Sequence, residues 1–305
     1  MILWLRHWVE YLLVRLVSAA FCLLSYRAAL CLGCAIAWCA FYVFRFRVKE
    51  ARRRIKEVFA ERFSRREINN IAWKSWRNFI FTLVEMIRIP VSSRDWLESV
   101  VAARGQNKKV FQWPKTGRGG IIATAHSGSW EMTAALFGKV YGFPLFSIAA
   151  PQKNKLVDEF LGRSRVKTGF EVVLRNASVL RDILRKIRKG KMLAVLPDVR
   201  GKTDALSVKF LGKTANIAGG MGFIARQADV PVFPAIITRI GWERHSYRFF
   251  DPIFPDQKTE KKADALRITQ SFFDILSTYI SAEPEQWLWF NKRWIFEPLK
   301  SNMPG

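Results

Sequence analysis

The sequence predicts an α/β fold, an αβα sandwich with a central mixed sheet, preceded by an N-terminal membrane-associated helical region. After Gly117, short apolar runs alternate with longer helical patterns, and this alternation is typical of layered α/β folds. Residues 48–90 show helical periodicity instead. The stretch from Leu12 to Phe44 is almost wholly apolar and is broken only by Arg15 and Arg27.

These patterns also suggest the domain organisation. We assign residues 1–47 to a hydrophobic membrane anchor and residues 48–305 to one large domain. That domain divides into a helical lead-in over residues 48–104 and an α/β core over residues 105–305. A cluster of glycine and proline near residues 100–118 marks the internal boundary.

The apolar anchor is just long enough to cross a bilayer. Ala28 to Phe44 contains no charge, and a helix of that length spans roughly 25 Å. A spanning helix and a helix lying in the membrane interface both fit this pattern, and a buried helix of a soluble core is a third alternative. If the helix spans, the basic residues that follow it place the rest of the chain in the cytoplasm. These residues are Arg45, Arg47, Lys49, Arg52, Arg53 and Arg54.

Local patterns predict the individual elements. Ser64 and Glu67 form a capping box that starts a helix running from Arg65 towards Pro90. The predicted strands are Ile121–Ala125, Leu145–Ala149, Glu171–Leu174, Met192–Leu196, Val208–Phe210, Val232–Thr238 and Tyr247–Phe250. The predicted helices of the core are Trp130–Val140, Leu156–Lys167, Ala177–Arg188, Ala218–Ala228 and Lys262–Ser281.

Composition limits the classes of function. The chain has 305 residues, half of them apolar, and carries 50 Lys plus Arg against 25 Asp plus Glu. Such a charge favours polyanions, whether nucleic acid, anionic membrane or phosphorylated substrates. The four cysteines all lie in the anchor, and the Cys31–Cys34 spacing has no second pair or nearby histidine to complete a zinc site. No disulfide framework is predicted, which fits a reducing compartment.

His126 is the histidine best placed for chemistry. It follows the strand Ile121–Ala125, and side chains at the carboxyl ends of such strands line the ligand crevice. Ser129, at the end of the short turn after His126, is predicted to cap the next helix. His7 lies in the basic N-terminal segment, and His245 is predicted to lie in a turn between two strands.

Glu131 lies five residues after His126, a spacing that needs a turn. On one continuous helix the two side chains would point about 140° apart. Gly128 permits a turn that brings them together, so that a carboxylate can hold one imidazole nitrogen while the other takes a proton from a hydroxyl. Backbone N–H groups at the helix start could hold a developing oxyanion.

Other chemistries lack their motifs. The serines near His126 have no G-x-S-x-G nucleophile elbow, and the chain contains no G-x-x-x-x-G-K-[ST] or G-x-G-x-x-G phosphate-binding loop. We therefore expect neither a metal nor a cofactor.

Several blocks in order carry a family resemblance. His126-Ser-Gly-Ser-Trp-Glu131 resembles the H-x4-D/E block of the lysophospholipid acyltransferase-like superfamily, and is most similar to the lipid A biosynthesis lauroyl/myristoyl acyltransferase family. Further blocks resemble that family in the same order. They are Asn154, Asp158, Arg165 and Gly169; Leu196 to Arg200; Phe210 to Gly212; Val230 to Pro234; Glu285 to Trp289; and Lys292 to Trp294.

The resemblance implies which residues act. Residues 48–305 would be the acyltransferase domain, in which His126 and Glu131 are catalytic and Ser129, Asn154, Arg165, Asp198 and Arg200 bind substrate. Arg165, Arg200 and nearby basic residues are expected to converge on a phosphate of the acceptor. Val199 and Ala150 depart from the residues usual in the family, which suggests an unusual acceptor or acyl chain.

The resemblance also implies the reaction and its partners. A fatty acyl group would pass from acyl-carrier protein or acyl-CoA to a hydroxyl of a phosphorylated membrane glycolipid, a lipid A precursor in lipopolysaccharide biosynthesis. A glycerophospholipid or an amino-lipid is the alternative acceptor. A non-catalytic basic membrane protein that binds anionic lipid or nucleic acid is an alternative of another class. For the acyltransferase we expect an anionic membrane as partner and no nucleic acid, with the active site on the cytoplasmic side of the bacterial inner membrane.

Overall fold

A central sheet of seven strands organises the protein. The computed structural model describes residues 2–103, 107–149, 151–169, 171–201 and 205–297. The strands lie side by side in the order β1, β9, β8, β2, β5, β3, β4. Their bounds are β1 Val101–Ala103, β2 Gly120–Ala123, β3 Leu145–Ala149, β4 Glu171–Leu174, β5 Met192–Val195, β8 Val232–Ile240 and β9 Arg244–Phe249. Strands β6 (Ala205–Phe210) and β7 (Lys213–Ala218) form a separate antiparallel hairpin.

The sheet is mixed, as predicted. Strand β2 pairs in parallel with both β5 and β8, and β3 pairs in parallel with β5 and β4. Strand β9 runs antiparallel to β8, and the short edge strand β1 runs parallel to β9. All four residues of β2 are buried, as is usual for the central strand of a parallel sheet that is covered on both faces.

Eleven α-helices in the described residues surround the sheet and form the N-terminal region. Their bounds are α1 Ile2–Leu23, α2 Tyr26–Trp38, α3 Val48–Phe59, α4 Arg65–Arg88, α5 Arg94–Val100, α6 Lys108–Gln112, α7 Trp130–Ala135, α8 Lys155–Val166, α9 Val179–Arg188, α10 Gly220–Ala228 and α11 Lys261–Ala282. A π-helical turn extends α2 over Cys39–Val43, and another extends α7 over Leu136–Val140.

Two apolar layers cover the two faces of the sheet, which confirms the αβα sandwich. Successive strand residues point to opposite faces, so each strand contributes to both layers. On one face, which we call the α7 layer, Ile122 and Leu145 pack with Met132 and Phe137 of the α7 region. On the other face, the α9–α11 layer, buried strand residues pack with three helices. The residues of this second layer include Ile121, Phe146, Leu193, Ile183, Ile224 and Phe272.

The N-terminal helices form a hairpin that packs on α4. Phe21 of α1 and Leu30 of α2 share a buried cluster with Phe81 and Val84 of α4. The capping box of Ser64 and Glu67 is present at the start of α4, as predicted. Residues Tyr26–Val43 form a helical stretch that is long and apolar enough to cross a membrane, with a mean hydropathy of 1.5.

Some elements differ from the sequence prediction. His245 was predicted to lie in a turn, but this is wrong: it lies in β9 and is fully buried. Its neighbours Glu243 and Arg244 are polar, as turn residues are, and therefore suggested a turn. The burial of His245 is accompanied by a contact with Glu85 of α4, which is distant in sequence. Strand β1 falls within the segment assigned to the helical lead-in, and a run of three residues is too short to show a period of two.

Candidate active site

The topology of the sheet opens a crevice at the carboxyl ends of β2 and β5. Helix α7 follows β2 and covers one face, whereas the chain after β5 leads to α10 on the opposite face. Where neighbouring strands connect to opposite faces in this way, an α/β fold leaves room for a ligand. His126 follows β2 and Asp198 follows β5, so the two side chains meet in this crevice.

His126 and Asp198 form a hydrogen-bonded pair. The Nδ1 atom of His126 lies 2.8 Å from Oδ1 of Asp198, and the backbone N–H of His126 donates to Oδ2 at 2.9 Å. The indole N–H of Trp287 also donates to Oδ2, at 2.9 Å. The Asp198 side chain is only 1% exposed, while that of His126 is 26% exposed. The carboxylate is therefore held by three groups, and the imidazole faces the crevice.

The surroundings shift both groups towards an ion pair. Burial opposes protonation of His126, but the Asp198 carboxylate, with a smaller contribution from Glu131, outweighs it and raises the pKa of His126 above its usual value. Burial also opposes the charge of Asp198, yet His126 and the hydrogen bond from Trp287 hold the pKa of this carboxyl below its usual range. The pair is thus suited to hold a proton on His126.

The turn after His126 adopts the conformation that the sequence predicted. Gly128 has φ +56°, and a Cβ atom there would lie 2.3 Å from the carbonyl oxygen of Ile237. Only glycine fits both the left-handed backbone and the close approach. We call residues 126–129 the catalytic loop.

The catalytic loop is held from two sides. From α4, the Thr82 hydroxyl donates to the carbonyl oxygen of Gly128 at 3.0 Å. From the C-terminal segment, Leu288 N–H donates to the carbonyl oxygen of His126 at 3.1 Å, and Gly128 N–H donates to that of Gln286 at 3.1 Å. These bonds fix the loop backbone, and with it the direction of the imidazole.

Ser129 joins the catalytic loop to a buried charge cluster. It occupies the N-cap position of α7, but its hydroxyl makes no capping bond and instead donates to Oε2 of Glu85 at 2.6 Å. Glu85 also accepts two bonds from Arg239, at 2.6 and 2.7 Å, and one from Tyr26 at 2.8 Å. His245 lies 3.2 Å from the same carboxylate. The cluster therefore links α2, α4, β8, β9 and the catalytic loop.

The cluster keeps its charges in the protein interior. Burial disfavours the Glu85 carboxylate, but Arg239 and His245 outweigh it and lower the pKa of Glu85 far below its usual range. Burial, together with Arg239, lowers the pKa of His245, although Glu85 acts in the opposite direction. Breaking a buried pair of this kind costs about 3–5 kcal/mol, because one charge is left unpaired.

Glu131 shares the crevice with His126. Both side chains line the same cavity, and the charge of Glu131 contributes to the raised pKa of His126. At Nδ1 of His126, however, the carboxylate is Asp198, a residue that the sequence analysis assigned to substrate binding.

Asn154, also assigned to substrate binding, makes hydrogen bonds that link the start of α8 to α1. It is buried, and its amide donates to the carbonyl oxygen of His7 at 2.8 Å and to Glu10 at 3.0 Å. Because His7 and Glu10 belong to α1, these bonds hold α1 against the start of α8.

Of the two arginines assigned to the acceptor phosphate, the structure describes the side chain of one. Arg200 pairs with Glu297 of the C-terminal segment at 3.0 Å. The side chain of Arg165 lies outside the described residues, although its backbone belongs to α8. Ala150, one of the two departures from the usual family residues, lies outside the described residues as well.

A cavity of about 710 Å³ opens beside His126. Its walls are mainly aliphatic and aromatic, and its charged lining residues are His126, Glu131 and Arg175. Both the volume and the apolar lining are typical of sites for small organic ligands. Apolar parts of a ligand match such a lining.

The sequence analysis missed three contributors to this site. Trp287 orients Asp198, Glu85 holds the catalytic loop, and Arg175 lines the cavity. Trp287 lies in a block that carried the family resemblance, but no sequence pattern says which carboxylate it contacts. Among the described residues, no group of three or more His, Cys, Asp or Glu side chains could hold a metal ion.

Comparison with known proteins identifies the family of this chain. The chain is 22% identical over 184 residues to the phosphatidylinositol mannoside acyltransferase of Mycolicibacterium smegmatis, a match that covers 59% of this chain. The chain spans about 58% of the length of this curated relative. The model of the bacterial lipid A biosynthesis acyltransferase family matches residues 1–295, almost the whole chain. The chain therefore belongs to the bacterial lipid A biosynthesis acyltransferase family, as the ordered sequence blocks predicted.

Proposed function

We propose that this chain is an acyltransferase that moves a fatty acyl group from a thioester to a hydroxyl of a membrane glycolipid. The donor is acyl-carrier protein or acyl-CoA, and the acceptor is a phosphorylated lipid A precursor in lipopolysaccharide biosynthesis. The observation that carries the proposal is the hydrogen-bonded pair of His126 and Asp198 facing a large apolar cavity. A general base beside an apolar cavity of this size suits the transfer of a fatty acyl group to a hydroxyl.

His126 acts first as a base and then as an acid. With its Nδ1 proton donated to Asp198, the imidazole presents a free electron pair at Nε2. Nε2 takes the proton of the acceptor hydroxyl while the hydroxyl oxygen attacks the thioester carbonyl carbon. A C–O bond forms, the C–S bond breaks, and the departing thiolate takes the proton from Nε2. The products are an ester and a free thiol, and no acyl-enzyme intermediate is needed.

The two carboxylates have different tasks in this scheme. Asp198 fixes the tautomer and the direction of the imidazole, because it holds both Nδ1 and the backbone N–H of His126. Glu131 lines the cavity and adds negative potential, which stabilises the imidazolium while it holds the proton. We keep Arg165 and Arg200 as candidates for the acceptor phosphate, and add Arg175, which lines the cavity.

The N-terminal hairpin supports attachment to one leaflet of a membrane. Helix α1 is bonded to α8 through Asn154, and α2 packs along α4, where a Cβ atom on Gly33 would lie 3.0 Å from Val84. Because these contacts hold both helices against the domain, we favour a hairpin that lies in the membrane interface over one that spans the bilayer. Most of the exposed large apolar side chains lie between residues 4 and 46.

We place the protein on the cytoplasmic side of the bacterial inner membrane. There its apolar hairpin enters the interface and its basic surface faces anionic lipid. Both acyl-thioester donors are cytoplasmic molecules, and the formal charge of +25 suits an anionic leaflet. We propose anionic lipid, and not nucleic acid, as the partner of this basic surface.

Acyl transfer can be tested with defined lipids. The full chain in phospholipid vesicles would receive radiolabelled acyl-CoA or acyl-carrier protein, together with a lipid A precursor, a mannosylated phosphatidylinositol, a lysophospholipid or an amino-lipid. We expect label in the lipid A precursor, and in the mannosylated lipid if the acceptor resembles that of the mycobacterial relative. Because the reaction needs His126, the variant His126→Ala should lose at least about 10²-fold in rate. Binding of lipid without transfer from any donor would instead support a non-catalytic protein.

A further inference from the structure

The cavity beside His126 continues from one face of the sheet to the other. Its lining draws on both apolar layers, and these layers are separated by the sheet itself. From the α7 layer come Ile122, Phe137, Leu145, Ala235, Ile237 and Phe249. From the α9–α11 layer come Ile148, Val179, Ile183, Val195, Met221 and Ile224. The cavity therefore has two arms that meet at the carboxyl ends of β2, β5 and β3.

The sheet topology explains why the two arms join. The helix after β2 covers one face, and the chain after β5 leads to the other, so no connection closes the edge between these strands. His126 and Leu196, which follow β2 and β5, line the cavity at this junction. A chain in either arm can thus bring its end to the imidazole.

The α7 arm is lined by buried apolar side chains. It runs down the sheet from Ala149 to Leu145, about 13 Å along β3 at the usual rise per residue. Phe137 and Phe249 line this arm, with ring centroids 5.0 Å apart, and both are buried. An arm with a buried apolar lining suits a chain without a headgroup, such as a fatty acyl group.

The α9/α10 arm is open to the surroundings. Leu180 lines it and is 46% exposed, and Arg175, Gly220 and Gln227 along the same side are exposed as well. An open arm suits a hydrocarbon chain whose other end stays attached to a large headgroup outside. Arg175 places a positive charge on this side of the cavity, where it suits an anionic headgroup.

We propose that the two arms hold two hydrocarbon chains at once, the acyl group of the donor in the α7 arm and a chain of the acceptor lipid in the α9/α10 arm. This inference rests on the proposed acyl transfer and deepens it. The chain of the acceptor then helps to position its hydroxyl. Residues of the α7 arm set the donor chain length, and residues of the α9/α10 arm set the preference for the acceptor.

Each arm can be narrowed separately. Ala134 lines the α7 arm, so Ala134→Phe shortens the space for the donor chain. Gly220 lines the α9/α10 arm and has no atom within 4 Å of an added Cβ, so a side chain can start there and Gly220→Trp adds bulk to this arm. Gly162 of α8 is equally open and does not line the cavity, which makes Gly162→Trp the matched control.

The kinetic test compares donors and acceptors of different chain length. Ala134→Phe should lower kcat/KM for hexadecanoyl-CoA by at least about tenfold relative to octanoyl-CoA, because several methylenes lose their site. Gly220→Trp should leave that donor ratio unchanged and raise the KM of a long-chain acceptor by at least about tenfold, with little effect on a short-chain analogue. Gly162→Trp should match the wild type. If both cavity variants changed the same chain-length preference, the assignment of two arms would be refuted.

A binding measurement separates this inference from the proposed function. Native mass spectrometry of the full chain in amphipol would count bound hexadecanoate, which needs no catalysis. We expect two molecules in the wild type and in Gly162→Trp, but one in Ala134→Phe and one in Gly220→Trp. One molecule in the wild type overturns the two-arm proposal. Two bound molecules in a protein that transfers no acyl group would uphold the two arms and reject acyl transfer.

Discussion

Replacing Asp198 with asparagine should place the imidazole proton on the wrong nitrogen. One oxygen of Asp198 accepts two bonds, from the His126 backbone N–H and the Trp287 indole N–H, and the other faces Nδ1 of His126. In Asp198→Asn the amide has only one oxygen. If that oxygen stays on the side of the two donors, the amide N–H₂ group faces Nδ1, which must then accept a bond rather than donate one.

The number of buried donors decides between the two amide orientations. The orientation just described satisfies two N–H groups, whereas the flipped one satisfies only Nδ1–H and leaves two buried donors facing an N–H₂ group. Each unsatisfied buried group costs about 1–3 kcal/mol, so two of them favour the wrong tautomer by about 2–6 kcal/mol, roughly 30- to 20,000-fold. The imidazolium also loses its carboxylate partner. Together these losses should lower kcat by about 10⁴-fold, the loss known for the equivalent change in a Ser-His-Asp triad.

Steady-state acyl transfer by the vesicle-bound protein tests this expectation, with circular dichroism as the check on folding. The matched variant is Glu131→Gln, in which a carboxylate that lines the same cavity becomes an amide of similar size. We expect it to lose less activity than Asp198→Asn. Nitrogen NMR of labelled His126 should show the proton moving from Nδ1 to Nε2 in Asp198→Asn. If Asp198→Asn kept more than about a tenth of wild-type kcat while Glu131→Gln lost more, Glu131 would be the orienting carboxylate and the reasoning would be refuted.

Four further tests concern the pH profile of the reaction, the positioning of the catalytic loop, the membrane contact and the buried His245. The pKa of His126 is raised, so this base becomes protonated at a higher pH than an ordinary histidine. The acid limb of the pH profile of kcat/KM should therefore have its midpoint above about pH 6.5. In Asp198→Asn, the acid limb of the remaining activity should shift to lower pH. Ser129→Ala removes the hydrogen bond from the catalytic loop to Glu85 but leaves the bonds between Glu85 and Arg239. We therefore expect kcat to fall while the KM values of donor and acceptor stay near those of the wild type. A higher acceptor KM with unchanged kcat would show instead that Ser129 binds substrate. Leu16→Asp with Phe44→Asp, at positions 72% and 78% exposed, should release the protein from vesicles in a flotation assay, whereas Phe254→Asp, at a position 51% exposed outside the hairpin, should not. The pKa of His245 is lowered in the folded state, so below about pH 6.5 the unfolded state binds a proton that the folded state does not. The unfolding free energy of the wild type should therefore fall as the pH is lowered from 7 to 5. His245→Gln lacks this proton uptake, so its unfolding free energy, measured in urea, should fall less, by up to about 1.4 kcal/mol per pH unit.

The sequence alone determined the fold class, the order of most elements and the turn at Gly128. These depend on local properties: the periodicity of apolar residues, the capping box of Ser64 and Glu67, and a left-handed backbone that only glycine adopts easily. The family followed from several short blocks in order, which together are far more specific than the His126–Glu131 spacing.

Tertiary structure alone decided which side chains meet. Asp198 lies 72 positions after His126 and Trp287 a further 89 positions along the chain, yet both belong to the immediate surroundings of His126. Local patterns cannot show this, because β2 and β5 become neighbours only through sheet pairing, and the C-terminal segment contacts the catalytic loop only in the folded chain, after α11 has packed on the sheet. The burial of His245 and the passage of the cavity between the two faces have the same origin. They depend on which layers the helices cover, a property of the packed chain that no stretch of sequence carries by itself.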